Sequence, residues 1–76
     1  MDATLHLRDD QLKKFRVLAG LTTDTALAER MGQDPGNLSR VLRGKQEPGP
    51  KFIARLVGAF PGMDLDDLFE VRVNVA

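Results

Sequence analysis

Apolar residues in this chain recur in five short helical stripes, bracketed by two stretches that alternate apolar and polar at every second position. In Thr4-Leu5-His6-Leu7-Arg8 the alternation predicts a strand over 4–8 with Leu5 and Leu7 inward. Leu12, Phe15 and Leu18–Ala19 recur at helical spacing. They predict a helix capped by Asp9 or Asp10, facing the core through those residues and stopped by Gly20. Leu27, Ala28 and Met31 mark the inner face of a second helix, with Asp24 at its start. Gly32 ends it, because glycine takes a left-handed backbone without steric cost. Asp34 caps a third helix over about Pro35 to Arg43, with Pro35 at the first helical position and Gly44 closing it. Its inner face is Leu38, Val41 and Leu42.

Glu47-Pro48-Gly49-Pro50 is a rigid turn that starts a fourth helix, ended by Pro61-Gly62. Phe52, Ile53, Leu56, Val57 and Phe60 give it a wide apolar stripe, the largest expected contribution to the core. Asp64 caps a short fifth helix with Leu65, Leu68 and Phe69 inward. In the tail, Val71, Val73 and Val75 alternate with Glu70, Arg72 and Asn74 and predict a strand over 70–75 with one buried face. An isolated strand is unstable, so the two strands are expected to pair with each other. The predicted fold is mainly α: five short helices over 9–69, with terminal strands 4–8 and 70–75 forming a small antiparallel β ribbon. All 76 residues make one domain.

The third helix has a chemically distinct outer face of Gly36, Asn37, Ser39, Arg40 and Arg43. Arg can bond guanine with two hydrogen bonds, and Asn can bond adenine with two. On a lone helix such a face reads as ordinary solvated surface. Two short helices around a tight turn change that weighing, because this pair is how many proteins enter the major groove.

Ala28, Gly32, Leu38, Ser39-Arg40-Val41, Arg43-Gly44-Lys45 and Pro48 resemble the pattern of the Cro/repressor-type (XRE-like) helix-turn-helix family. The flanks Leu12-Lys13-Lys14-Phe15-Arg16, Gly20-Leu21-Thr22 and Leu65-Asp66-Asp67-Leu68-Phe69 are similar too, so the resemblance covers about residues 11–70. It implies a DNA-binding transcription regulator, a small phage or prophage-type repressor that binds a palindromic operator as a dimer. Base contacts are then expected from Pro35, Gly36, Asn37 and Arg40. Pro35 has only a thymine methyl to touch, and Gly36 lets the backbone come close, so readout rests mainly on Asn37 and Arg40. Arg43, Lys45 and Gln46 are expected at phosphates, with Lys51 at the next helix start. Thr23 is a further hydroxyl donor. Gln33 stands where relatives are usually apolar, and reads either as a contact at the DNA edge or as a wet turn residue.

Two departures from the family stand out. The segment between Gly20 and Ala28 is one residue longer than usual. Asp24 replaces a Gln that often touches phosphate, and a carboxylate there suits a helix N-terminus rather than DNA. The terminal strands are also unusual beside all-helical relatives. They suggest a homodimer built through Val71, Val73 and Val75, with an intrachain ribbon as the plainer alternative.

Charge is balanced overall, with 11 Lys and Arg against 11 Asp and Glu. A zero balance argues against nucleic acid, but the distribution answers it in part. Residues 30–55 hold six cations against two carboxylates, and residues 56–76 hold four carboxylates against Arg72. Lys13, Lys14 and Arg16 read as a solubilising face, with a phosphate contact as the minority reading. Arg55 is expected to face solvent. With no cysteine and a single histidine, His6 reads as solvated rather than as a ligand. The carboxylates of 64–70 lack a calcium loop's length and glycine. No metal, cofactor, small-molecule ligand or catalytic residue is expected. No membrane span or secretory signal is evident, which points to the cytoplasm of a bacterial or phage-infected cell, at the nucleoid. The competing reading is an antitoxin- or adaptor-type protein-interaction module on the same scaffold.

Overall fold

A computed structural model describes residues 2–74, so the expectation for Val75 lies outside the described residues. The elements run β1 (Asp2–Leu7), α1 (Asp9–Ala19), α2 (Asp24–Met31), α3 (Pro35–Leu42), α4 (Pro50–Gly58), α5 (Leu65–Leu68) and β2 (Phe69–Asn74). Among the described residues, β1 and β2 form one two-stranded antiparallel sheet. The mainly α fold with a terminal ribbon is therefore as expected.

Leu12, Leu27, Leu38, Leu56, Leu68 and Phe69 meet at the centre, each less than about 4% exposed. Phe15 closes one side against Phe60, with ring centroids 6.3 Å apart and planes tilted by 50°. No polar or charged residue is buried among the described residues. The interior thus rests on apolar burial, which stabilises by about 25 cal/mol per Å². Helix ends are closed locally. The Thr23 hydroxyl accepts from the Ala26 N–H at 3.1 Å, and the Asp34 carboxylate from the Asn37 N–H at 2.9 Å. The Asp67 carboxylate accepts from the Asp64 N–H at 2.8 Å. Losing one such cap costs about 1 kcal/mol.

Several expectations need correction. Arg8, not Asp9 or Asp10, precedes α1, and both aspartates lie in its first turn without a capping bond. A carboxylate there still gains from the helix dipole. The cap of α2 is Thr23, whose extended backbone fits that position, and Asp24 is the first helical residue. Asp24 is then free to pair with Arg16, at 3.1 Å. Arg16 also donates to the Leu21 carbonyl at 2.8 Å, so it ties down the α1–α2 connection instead of lying on a solvated face. Leu18 is 82% exposed, and Ala19 is exposed as well. At about 100° per residue, Leu18 lies about 120° from Leu12, and the guanidinium-bearing Arg16 fills the inward position instead. Leu65 is 42% exposed, because only the far end of the single-turn α5 reaches the core. Helix α4 ends at Gly58 rather than at Pro61-Gly62, yet Phe60 beyond its end is buried.

The ribbon pairs Leu7 with Phe69, Leu5 with Val71 and Ala3 with Val73. Paired residues of an antiparallel ladder share a face, so these six form one apolar side. Only its inner end lies on the core. Phe69 is 2% exposed, whereas Val71 is 65% and Val73 49%. The strand's expected buried face is thus uncovered at Val71 and Val73 within one chain. Arg8 anchors the inner end, donating to the Asp66 and Phe69 carbonyls at 3.0 and 3.3 Å.

On the opposite side, the Arg72 guanidinium donates to Glu70 at 2.8 Å. That bond and the charge of Arg72 hold the Glu70 carboxyl below its ordinary 4.5, with smaller help from Arg8 and His6 and some opposition from burial. A carboxyl depressed on folding adds stability that is full above 4.5 and fades as pH falls through the folded value. Arg72→Ala should move the Glu70 titration back up towards 4.5, read from its side-chain carboxyl carbon by NMR. An unmoved titration would rule out Arg72 as the cause.

Candidate nucleic-acid interface

The turn between α2 and α3 is built by its sequence. Gly32 adopts a left-handed backbone, φ 69°, and the α2 C-terminus closes through the Gln33 N–H on the Ala28 carbonyl at 2.9 Å. A side chain with a Cβ is strained there. Two residues later Asp34 caps α3, and Pro35 occupies its first turn, where a missing N–H costs nothing. Leu38 and Val41 anchor α3 to the core, so its other side is presented outward.

That outer side carries the expected residues. Pro35, Gly36, Arg40 and Arg43 are exposed, and Asn37 and Ser39 are half-buried. Lys45, Gln46 and Lys51 are exposed at the end of α3 and the start of α4, and Thr23 is exposed at the start of α2. The Thr23 hydroxyl accepts from the Ala26 N–H, which leaves its own proton available. Among the described residues, no ion pair neutralises Arg40, Arg43, Lys45 or Lys51. A strip of unpaired cations beside a protruding helix face is an electrostatic match for a phosphate backbone.

Two side-chain networks organise the face. Arg40 donates through Nε to Gln46 at 3.3 Å, and its two terminal nitrogens have no hydrogen-bond partner among the described residues. A Cβ on Gly36 would stand 3.6 Å from Arg40 Nη1 and 3.1 Å from Asp34 Oδ2. The bare backbone at Gly36 therefore spares the capping carboxylate of Asp34, whereas the distance to Arg40 is an ordinary contact. The second network joins three elements. Arg55 on α4 donates to the Gln33 amide oxygen at 2.8 Å, and the Gln33 amide nitrogen donates to Asn37 Oδ1 at 2.6 Å. Gln33 is thus half-buried and hydrogen-bonded at both ends of its amide. Arg55 is exposed as expected, but it is engaged. Its part is invisible to local pattern reading, since 22 positions separate it from Gln33.

The exposed basic face of α3, set by a glycine turn against α2, defines a helix-turn-helix domain. The family model described as helix-turn-helix matches residues 12–68, most of the chain. The chain belongs to the Cro/repressor-type (XRE-type) helix-turn-helix family, a family of DNA-binding transcription regulators. No curated protein and no solved structure matches it. Among the described residues, no helix is long and apolar enough to cross a membrane.

Proposed function

We propose that this protein is a sequence-specific transcriptional repressor of a phage or prophage type, acting in the bacterial cytoplasm as a homodimer on a palindromic operator. The observation that carries the reading is the outer face of α3 with Asn37 and Arg40, followed by the exposed cations Arg43, Lys45 and Lys51, which form no ion pair among the described residues. Asn37 and Arg40 read bases, with Pro35 and Gly36 permitting close approach. Arg43, Lys45, Gln46, Lys51 and Thr23 hold phosphates and fix register. Two half-sites then lie about 34 Å apart, one turn of the duplex. The test is selection from a random duplex pool at two salt concentrations. Enrichment of an inverted repeat with fixed spacing is expected. Weak, unselective and steeply salt-dependent binding would instead favour a protein-interaction module.

The dimer is assigned to the ribbon. Val71 and Val73 present an uncovered apolar face on β2, and a two-stranded sheet leaves its outer edge open to a further strand. Val71→Lys with Val73→Lys should give a monomer by light scattering, with unchanged helical circular dichroism. Operator affinity should fall steeply, because one half-site then binds alone. A double variant that stays dimeric would place the interface elsewhere.

A further inference from the structure

We propose that Arg55 selects which atom of Asn37 faces the DNA, and thereby tunes base preference without touching a base. This rests on the reading of α3 as the recognition helix. The argument comes from the polarity of hydrogen-bonding groups. A guanidinium has only donors. Its bond to Gln33, at 2.8 Å, therefore requires the Gln33 amide oxygen to face Arg55. The Gln33 amide nitrogen must then face α3. It meets Asn37 at 2.6 Å, and a donor can only be answered by an acceptor, so Asn37 turns Oδ1 towards Gln33. The Asn37 amide N–H groups are left leading outward. One charged residue on α4 thus sets the orientation of two amides in series, each of which would otherwise be free to flip.

The consequence is chemical. An Asn that leads with N–H groups favours acceptors in the major groove: a purine N7, the guanine O6 or the thymine O4. An Asn that leads with Oδ1 favours the amino groups of adenine or cytosine. Holding the amide before DNA arrives also removes part of the ordering cost of contact, a gain of about two- to tenfold in affinity for one immobilised side chain. Arg55 is a positioning residue in this scheme, and its effect should follow the donor or acceptor character of whatever replaces it.

Three variants separate the possibilities, and Arg55 is exposed, so none removes core packing. Arg55→Lys keeps a donor. Arg55→Ala removes it. Arg55→Glu supplies an acceptor and should reverse both amides, turning Asn37 Oδ1 outward. In the free protein, the side-chain amide protons of Gln33 and Asn37 report the orientation by NMR. The wild type and Arg55→Lys should show a hydrogen-bonded Gln33 proton and solvent-open Asn37 protons. Arg55→Glu should instead show a bonded Asn37 proton.

The same four proteins are then put through selection from a random duplex pool. The wild type and Arg55→Lys should share one preferred base opposite Asn37. Arg55→Ala should weaken that preference by about fivefold, the low end of what one good base contact supplies. Arg55→Glu should shift it to an amino-bearing base. Loss of positive charge lowers binding to all sequences alike and so cancels from the preference. Unchanged preference in Arg55→Glu, or an Arg55→Lys profile that matches Arg55→Ala, would overturn the proposal. If the wild type selects no sequence, the recognition reading fails and base selection by Arg55 fails with it. The free-protein spectra would then show whether the amide series itself exists.

Discussion

Leu38→Ala should lower the melting temperature by about 20 °C and abolish DNA binding at 37 °C. Leu38 is 0% exposed and, with Val41, anchors α3 to the core. Truncating a buried leucine costs about 2–5 kcal/mol, as lost transfer energy plus the cavity left behind. A chain of 76 residues has about 4–11 kcal/mol to lose, at 0.05–0.15 per residue. Each kcal/mol moves the midpoint of a domain this size by about 4–8 °C. Thermal circular dichroism measures the shift. Leu18→Ala is the internal control: at 82% exposure it should change stability by no more than about 0.5 kcal/mol. Equal effects from the two variants would overturn the packing of α1 and α3 described above.

Arg40→Ala should erase preference at one base position in each half-site and weaken operator binding by about thirtyfold or more. A good two-bond contact to a base provides about 1–3 kcal/mol, and a dimer loses two of them. The arrangement supports the proposed role: Gln46 takes Nε, and no hydrogen bond takes the terminal nitrogens among the described residues. Lys45→Ala is the contrast. It should weaken specific and random sequences alike and flatten the salt slope by about one unit, as a lost phosphate contact does. Titrations on selected and random duplexes at several salt concentrations measure both. An Arg40→Ala variant that loses specific and random binding equally would defeat its base-reading role.

Most of the fold was legible because its signals are local. Glycines that must turn left-handed, a proline and an acid at the start of α3, and two period-two ends all carry their reasons within a few residues. The pattern misleads where an apolar residue has no packed neighbour opposite it. Leu18 and Leu65 fit a stripe on paper, but Arg16 occupies the inward position on α1 and α5 is a single turn. Val71 and Val73 alternate correctly, yet nothing in the same chain covers their side chains. The cap of α1 lies a position earlier than expected, because an acid in the first turn and a capping residue look alike in sequence. The outer face of α3 was legible from helical period alone. The Arg55–Gln33–Asn37 series was not, since it depends on α4 returning to the turn before α3, which no local pattern encodes.

The ribbon also fixes an order of assembly. It pairs Asp2 with Asn74 and Leu7 with Phe69, so its two strands are brought together only when some sixty intervening residues are drawn into a loop. The contact between α2 and α3, by contrast, joins near neighbours in the chain. Loops that long close at an entropic cost that short ones avoid, and non-local pairings form late. The helical body can therefore organise while the chain's two ends are still apart. The ribbon is the last part to close, and a dimer that depends on it inherits that delay.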